Sequence, residues 1–275
     1  MWIDDPFYDA TLPPRSFVWP CGIRYLHRDA EVEELVLTKE VYGFGLTFSN
    51  MAAKINATAS GAEVRFDRAC SQPMPEAYHR ARVLFPIMRL LRGELAFHAS
   101  CVSMQDRAVV FMAPSGVGKT TAAAALVAYA FAKIVADDTT IVSLTSDGYV
   151  ALPGSTAFAM RHRLLDDASC FGEGSVCGIK RMLPVKSTHV AKHRILIDRV
   201  IFLEPGGGKL EALSLSARPS RFLSQQFILS EAPLDYRHEM FTACVNFMSH
   251  IPTYTLGIDG KTSLSLRQFA ENFSS

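Results

Sequence analysis

The period of the apolar positions changes along the chain, and each change marks an element. The first seventy residues hold short β-type runs, Glu34 to Thr38 and Phe44 to Phe48, punctuated by Gly22, Gly43, Gly45 and Gly61, which predicts a small sheet. From Glu76 to Arg92 apolar residues recur at Ala77, Ala81, Leu84, Phe85, Met88 and Leu91, a helical spacing that Gly93 ends. Pro86 lies inside that pattern, so the helix is expected to kink there or to start later. Beyond Gly93, Leu95 to Met104 reads as one strand and Ala108 to Met112 as a second. The small-residue loop Ala113 to Lys119 then opens an Ala-rich helix, Thr120 to Ala132. Ile134 to Ala136 with Thr139 to Leu144 reads as another strand, interrupted by Asp137 and Asp138. Strand, loop, helix and strand in that order predict a crossover unit of an α/β fold. Further strands are expected at Arg199 to Glu204 and Leu210 to Leu215, with helices at Ser220 to Ser230 and Tyr236 to Met248. The pattern divides the chain into a small β-rich domain over 1–93, ending in a helix, and an α/β core over 94–275.

Composition narrows the function classes. Of 275 residues, 49% are hydrophobic and 20% charged, enough apolar material for a full core and too much for a disordered chain. Lys and Arg number 28 against 27 Asp and Glu, so no bulk positive charge is present to displace counterions from a nucleic acid. Cys21, Cys70, Cys101, Cys170, Cys177 and Cys244 form no C-x-x-C pair, and reduced, buried thiols are expected. Asp4 and Asp5 stand where a signal peptide would be basic, and the apolar run Ala122 to Ala132 is shorter than the ~20 residues of a membrane span. A cytoplasmic protein without membrane or nucleic-acid partners is the expectation.

The segment Ala113-Pro114-Ser115-Gly116-Val117-Gly118-Lys119-Thr120 resembles the phosphate-binding P-loop. In such a loop, backbone N–H groups and a helix N-terminus cradle phosphate oxygens, the lysine neutralises them, and the hydroxyl after it holds Mg²⁺. Nucleotide contacts are therefore expected over Pro114, Ser115, Gly116, Val117, Gly118, Lys119, Thr120 and Thr121. Ala113 stands where the pattern has Gly, and Lys119 is expected to be an exposed loop side chain. The alternative is a chance glycine turn, which the preceding apolar strand disfavours.

Asp137 follows Lys119 by eighteen residues, enough for one helix and a returning strand that brings Asp137 and Asp138 near the loop. Two adjacent carboxylates can divide phosphoryl transfer between a metal ligand and a base for the attacking hydroxyl. His98, in Phe97-His98-Ala99-Ser100, lies on the strand before the one feeding the loop. Alone it would read as a satisfied core histidine.

Together the His-Ala strand, the Ser-Gly-Val-Gly-Lys-Thr loop and the Ala-Asp-Asp strand resemble the HPr kinase/phosphorylase family. They are also similar to its relatives, the bacterial kinases that phosphorylate a serine of a peptide precursor, including those of lasso-peptide clusters. The resemblance covers Leu95 to Leu144 and implies a core like that of ATP-type phosphoenolpyruvate carboxykinase, with ATP and Mg²⁺ as cofactors. It implies Asp137 as general base and Asp138 as Mg²⁺ partner. It places His98 on the active-site histidine, with Lys119 and Thr120 on the phosphate lysine and the metal hydroxyl. The Glu-Val-Arg-Gly type segment that follows the aspartate pair in that family is missing, and Leu152-Pro153-Gly154 through Arg163 runs in its place.

Other features read as structural. His189 and His193 sit in a basic segment with Lys186, Lys192 and Arg194, and Asn272-Phe273-Ser274 matches a glycosylation acceptor that a cytoplasmic chain does not use. Arg161, Arg163, Lys180 and Arg181, around the Gly-rich stretch Phe171 to Gly178, suit either a surface loop or a clamp on phosphate. The sequence therefore points to an ATP-dependent kinase acting on a hydroxyl, such as a peptide or protein serine. A kinase of a small hydroxylated metabolite and a non-catalytic nucleotide switch are the alternatives, and a homo-oligomer stays open.

Overall fold

In the computed structural model the described residues are 2–4, 23–25, 35–40, 43–48, 51–56, 61–66, 84–160, 165, 169–177, 180–227, 234–258 and 263–274. They fall into two compact units, Met1–Ala96 with Phe227–Ala243, and Phe97–Gln226 with Cys244–Ser275. Mixed α/β structure is what the alternating periods predicted. Arg161, Arg163 and Gly178 lie outside the described residues.

Among the described residues the first unit shows the strands β1 (Trp2–Asp4), β2 (Ile23–Tyr25), β3 (Leu35–Glu40), β4 (Gly43–Phe48), β5 (Met51–Asn56) and β6 (Gly61–Phe66). They form one antiparallel sheet in the order β1-β6-β5-β4-β3-β2. Helix α1 (Leu84–Leu91) covers the described part of the predicted helix, and 76–83 lie outside the described residues. Gly93, at φ +79°, ends it as expected, its N–H donating to the Leu90 carbonyl at 2.9 Å. The buried Tyr236 hydroxyl donates to the same carbonyl at 2.7 Å.

The segment 95–104 is two strands rather than one, β7 (Leu95–Phe97) and β8 (Ala99–Met104), broken by a bend at His98. The cause is a bond outside the ladder: the His98 N–H donates to the Gln225 carbonyl at 2.7 Å. The chain continues through β9 (Arg107–Met112), α2 (Lys119–Tyr129), β10 (Lys133–Ala136), β11 (Thr140–Thr145) and β12 (Gly148–Ala151). Helix α2 ends three residues earlier than predicted, with Phe131 in the left-handed region at φ +54°. After these come β13 (Ala157–Met160), β14 (Ser175–Cys177), β15 (Lys180–Pro184), β16 (Ile195–Pro205), β17 (Glu211–Ala212) and α3 (Arg218–Gln225). The last elements are α4 (Leu234–His250), β18 (Thr253–Ile258) and α5 (Ser263–Ser274).

The main sheet of the second unit runs β10-β8-β9-β16-β12-β11. The second half of β16 lies between β9 and β18, parallel to both, so the carboxyl ends of three parallel strands collect at one edge. In open α/β sheets that edge is where ligands bind. The segments on either side of Asp137 and Asp138 are not one interrupted strand. Strand β10 pairs β8 whereas β11 pairs β12, so the aspartates mark the point where the chain leaves one end of the sheet for the other.

Each face of the sheet has its own core. On one, α2 contributes Ala122, Ala123, Ala124, Ala125 and Leu126, all fully buried, against Phe111, Ile201 and Leu203. The other is built on rings: Phe222 of α3 meets Phe202 edge-on with centroids 5.2 Å apart and Phe247 at 5.7 Å, while Phe97 lies 5.5 Å from Phe247. Truncating the fully buried Phe222 to alanine removes the shared partner and is expected to cost ~3–5 kcal/mol, read as a lower urea midpoint at unchanged m-value. No helix among the described residues is long and apolar enough to cross a membrane.

Candidate functional site

Strand β9 delivers the chain to the loop before α2. Gly116 at φ +83° and Gly118 at φ +124° take backbone angles that L side chains rarely adopt, although space around both is open, so the conformation rather than crowding calls for glycine. Ala113, in the motif's glycine position, has no such angle and is fully buried at the strand end, which is why a methyl group is tolerated. Helix α2 begins at Lys119 behind Gly118, so the loop runs directly into a helix N-terminus, the end that favours an anion. Lys119 departs from expectation: it is buried, with Nζ donating to the Ala113 carbonyl at 2.7 Å and the Pro114 carbonyl at 3.4 Å. The ammonium thus closes the loop on itself from within.

Asp137, at the end of β10, is only 2% exposed and gathers donors from three separate segments. Its Oδ1 accepts from the Ser100 hydroxyl at 2.7 Å and the Thr120 hydroxyl at 2.9 Å, and its Oδ2 from the Ala159 N–H at 3.1 Å. Burial raises its pKa above the usual carboxylate range; the Ser100 bond works against that, and the neighbouring Asp138 charge adds to it. Asp138 is different. Its side chain is 48% exposed, its backbone is left-handed at φ +69°, and its Oδ1 lies 3.8 Å from His98 Nε2. Aspartate is one of the few non-glycine residues that adopt such an angle readily.

The structure therefore brings together Lys119, Thr120, Asp137, Asp138 and His98, all predicted from sequence. It adds two groups that sequence reasoning missed. Ser100 had a weak signal, since it lies two residues from His98 in the stretch that the sequence reads as one strand. Ala159 had none, because its contribution is a backbone N–H. His189 ends a short 3₁₀ turn, Ser187–His189, so it and His193 share no helix face, and among the described residues no group of three or more His, Cys, Asp or Glu could hold a metal.

Residues 76–265 match the family of the SynChlorMet cassette protein ScmC. The chain belongs to that family. The match spans the loop, both aspartates and His98, so the site lies within the ScmC-type segment. Among curated proteins none matches. Among solved structures, the Hpr(Ser) kinase/phosphatase from Coxiella burnetii is similar over 65% of this chain and 95% of its own, at 11% identity and a TM-score of 0.34.

The raised pKa of Asp137 carries a stability consequence with a definite sign. A carboxyl whose folded pKa exceeds its unfolded value favours the fold while protonated and loses that contribution as pH rises through the folded pKa. The melting temperature is thus expected to fall from the ordinary carboxylate range upward through the raised value. Thermal denaturation across pH checks this.

Proposed function

We propose that this protein is an ATP-dependent kinase that transfers the γ-phosphoryl group to a hydroxyl, with a peptide or protein serine as the acceptor class. The observation that carries the reading is the Thr120–Asp137 hydrogen bond of 2.9 Å, which ties the residue after the loop lysine to the carboxylate of the returning strand. A hydroxyl and a carboxylate so joined, beside a glycine-bearing loop that opens a helix and carries a lysine, form the kind of cradle that phosphoryl transfer needs.

These donors fit Mg²⁺. The ion takes hard oxygen ligands, only one or two from protein and the rest from phosphate and water, and Thr120 with Asp137 would supply the protein share. When bound it would neutralise charge developing on the phosphoryl oxygens. The loop N–H groups and Lys119 bind the phosphates. Asp138 and His98 face the acceptor: the acceptor oxygen bonds to the γ-phosphorus, the bond to the bridging oxygen of ADP breaks, and the hydroxyl proton passes to the Asp138 carboxylate.

This exchanges the roles that family resemblance implies for the two aspartates. Asp137 is bonded to the Thr120 hydroxyl, the metal side of the site, whereas Asp138 is half exposed and adjoins the histidine. Residues 1–93 are proposed to serve acceptor recognition or assembly, and 94–275 the nucleotide chemistry in the cytoplasm. The experiment is a transfer screen with γ-labelled ATP against Ser-containing peptides and small alcohols. Label in a peptide supports the reading; label only in small alcohols makes the chain a metabolite kinase, and nucleotide binding with no transfer to either makes it a switch.

A further inference from the structure

A cavity of about 510 Å³ opens beside the loop, on the far side of β9 from Asp137. Pro114 and Val117 of the loop form one wall and the end of β16, Phe202 to Pro205, another. The third wall is the α3 face with Arg221, Ser224 and Gln225. Small-ligand pockets span roughly 300–1,000 Å³ and combine apolar walls with a few placed polar groups.

The placed group is Gln225, which is 7% exposed. Its Nε2 donates to the Ser224 oxygen at 3.0 Å, and the Ser224 hydroxyl in turn donates to the Arg221 carbonyl at 2.7 Å. With the Ser224 proton on that carbonyl, its oxygen accepts from Gln225, and the amide stands with Nε2 toward Ser224. Gln225 Oε1 is left as a buried acceptor with no hydrogen-bond partner. A buried, unpaired acceptor is costly unless a ligand supplies a donor. The backbone beside it is held firmly, by the His98 N–H on the Gln225 carbonyl and by the Phe97–Gln226 bridge. At the rim, Arg221 pairs with Glu204 at 2.5 Å and lies 5.8 Å from the Phe202 ring centroid, leaving a planar cation where a flat ring can stack.

We propose that this cavity is the nucleobase subsite and that Gln225 Oε1 selects adenine through its 6-amino group. The inference rests on the loop binding a nucleotide, as proposed above. Strand order supports it: with the Thr120–Asp137 metal side toward β8 and β10, the rest of a nucleotide held by the loop extends toward β16, where the cavity lies. The ligand class is a planar, apolar ring that donates one N–H.

The test is calorimetric titration of the full chain with Mg²⁺ and three probes: inorganic tripolyphosphate, a non-hydrolysable ATP analogue, and the matching purine riboside analogue, which lacks the 6-amino group. Wild type is expected to bind the adenine analogue about tenfold more tightly than the purine analogue, the value of one hydrogen bond of ~1.4 kcal/mol. In Gln225→Leu that gap is expected to close to within about twofold while tripolyphosphate affinity stays at the wild-type value. Equal affinity of wild type for the two analogues overturns the proposal without any variant, and so does a gap that survives in folded Gln225→Leu. Tripolyphosphate binding that Lys119→Met abolishes, with no base discrimination, would leave the loop assignment standing and remove this one. No binding of any probe would remove both.

Discussion

Lys119→Met is expected to lower affinity for Mg²⁺-ATP by at least ~100-fold, the loss of a charge-assisted phosphate contact worth about 3 kcal/mol. Because the side chain is buried and its Nζ bridges the Ala113 and Pro114 carbonyls, the effect has two parts. The variant loses the charge that meets phosphate and also the bonds that hold the loop ends together. Methionine keeps the apolar stem, so packing beside Ala113 survives while both functions of the ammonium are lost. Calorimetry gives the affinity, and a melting curve separates the loop's own stability from binding. Unchanged ATP affinity in a folded Lys119→Met protein would refute the assignment of this loop to phosphate.

The second large effect separates the two aspartates. Asp138→Asn is expected to preserve Mg²⁺-ATP affinity within about threefold and to reduce single-turnover transfer by ~10²–10⁴, the range of a removed general base. Asp137→Asn is expected to act on the metal: the Mg²⁺ concentration needed for nucleotide binding should rise at least ~tenfold, because the charge that would hold the ion is gone. Asparagine also turns an N–H toward a donor, Ser100, Thr120 or Ala159, so some loss of stability accompanies the change. The opposite pattern, with transfer lost in Asp137→Asn and metal dependence in Asp138→Asn, would restore the roles implied by resemblance. Equal metal defects would make the pair one site.

How much of this was legible beforehand differs by residue. The loop was, because Gly116, Gly118, Lys119 and Thr120 are fixed by local backbone angles and by the chemistry of phosphate, both of which act over a few residues. The carboxylates were located, but only the family resemblance gave them separate roles, since their difference is environmental: one is enclosed by β8, α2 and β13, and the other emerges beside His98. The break at His98 was invisible because its cause, the Gln225 carbonyl, lies more than a hundred residues away. Periodicity likewise ran β10 and β11 together: apolar runs report burial, and both flanks of Asp137 are buried although they pair with different neighbours. Gln225 carried no signal at all, since a glutamine in the middle of the predicted helix Ser220 to Ser230 reads as solvent-facing until its fold neighbours are known.

The alanines of α2 set a limit on how this sequence can drift. Residues 122–125 are four successive positions, each turned by about 100° from the last, so between them they face nearly every direction around the helix. All four are fully enclosed. The helix is gripped on all sides by neighbours set one methyl group away: a larger side chain has nowhere to go, and a glycine would loosen the segment that begins at Lys119. None of these alanines touches the proposed ligands, yet the aim of the loop depends on them. Substitutions that blunt this protein can therefore arise along the buried length of α2, well behind the residues that do the chemistry.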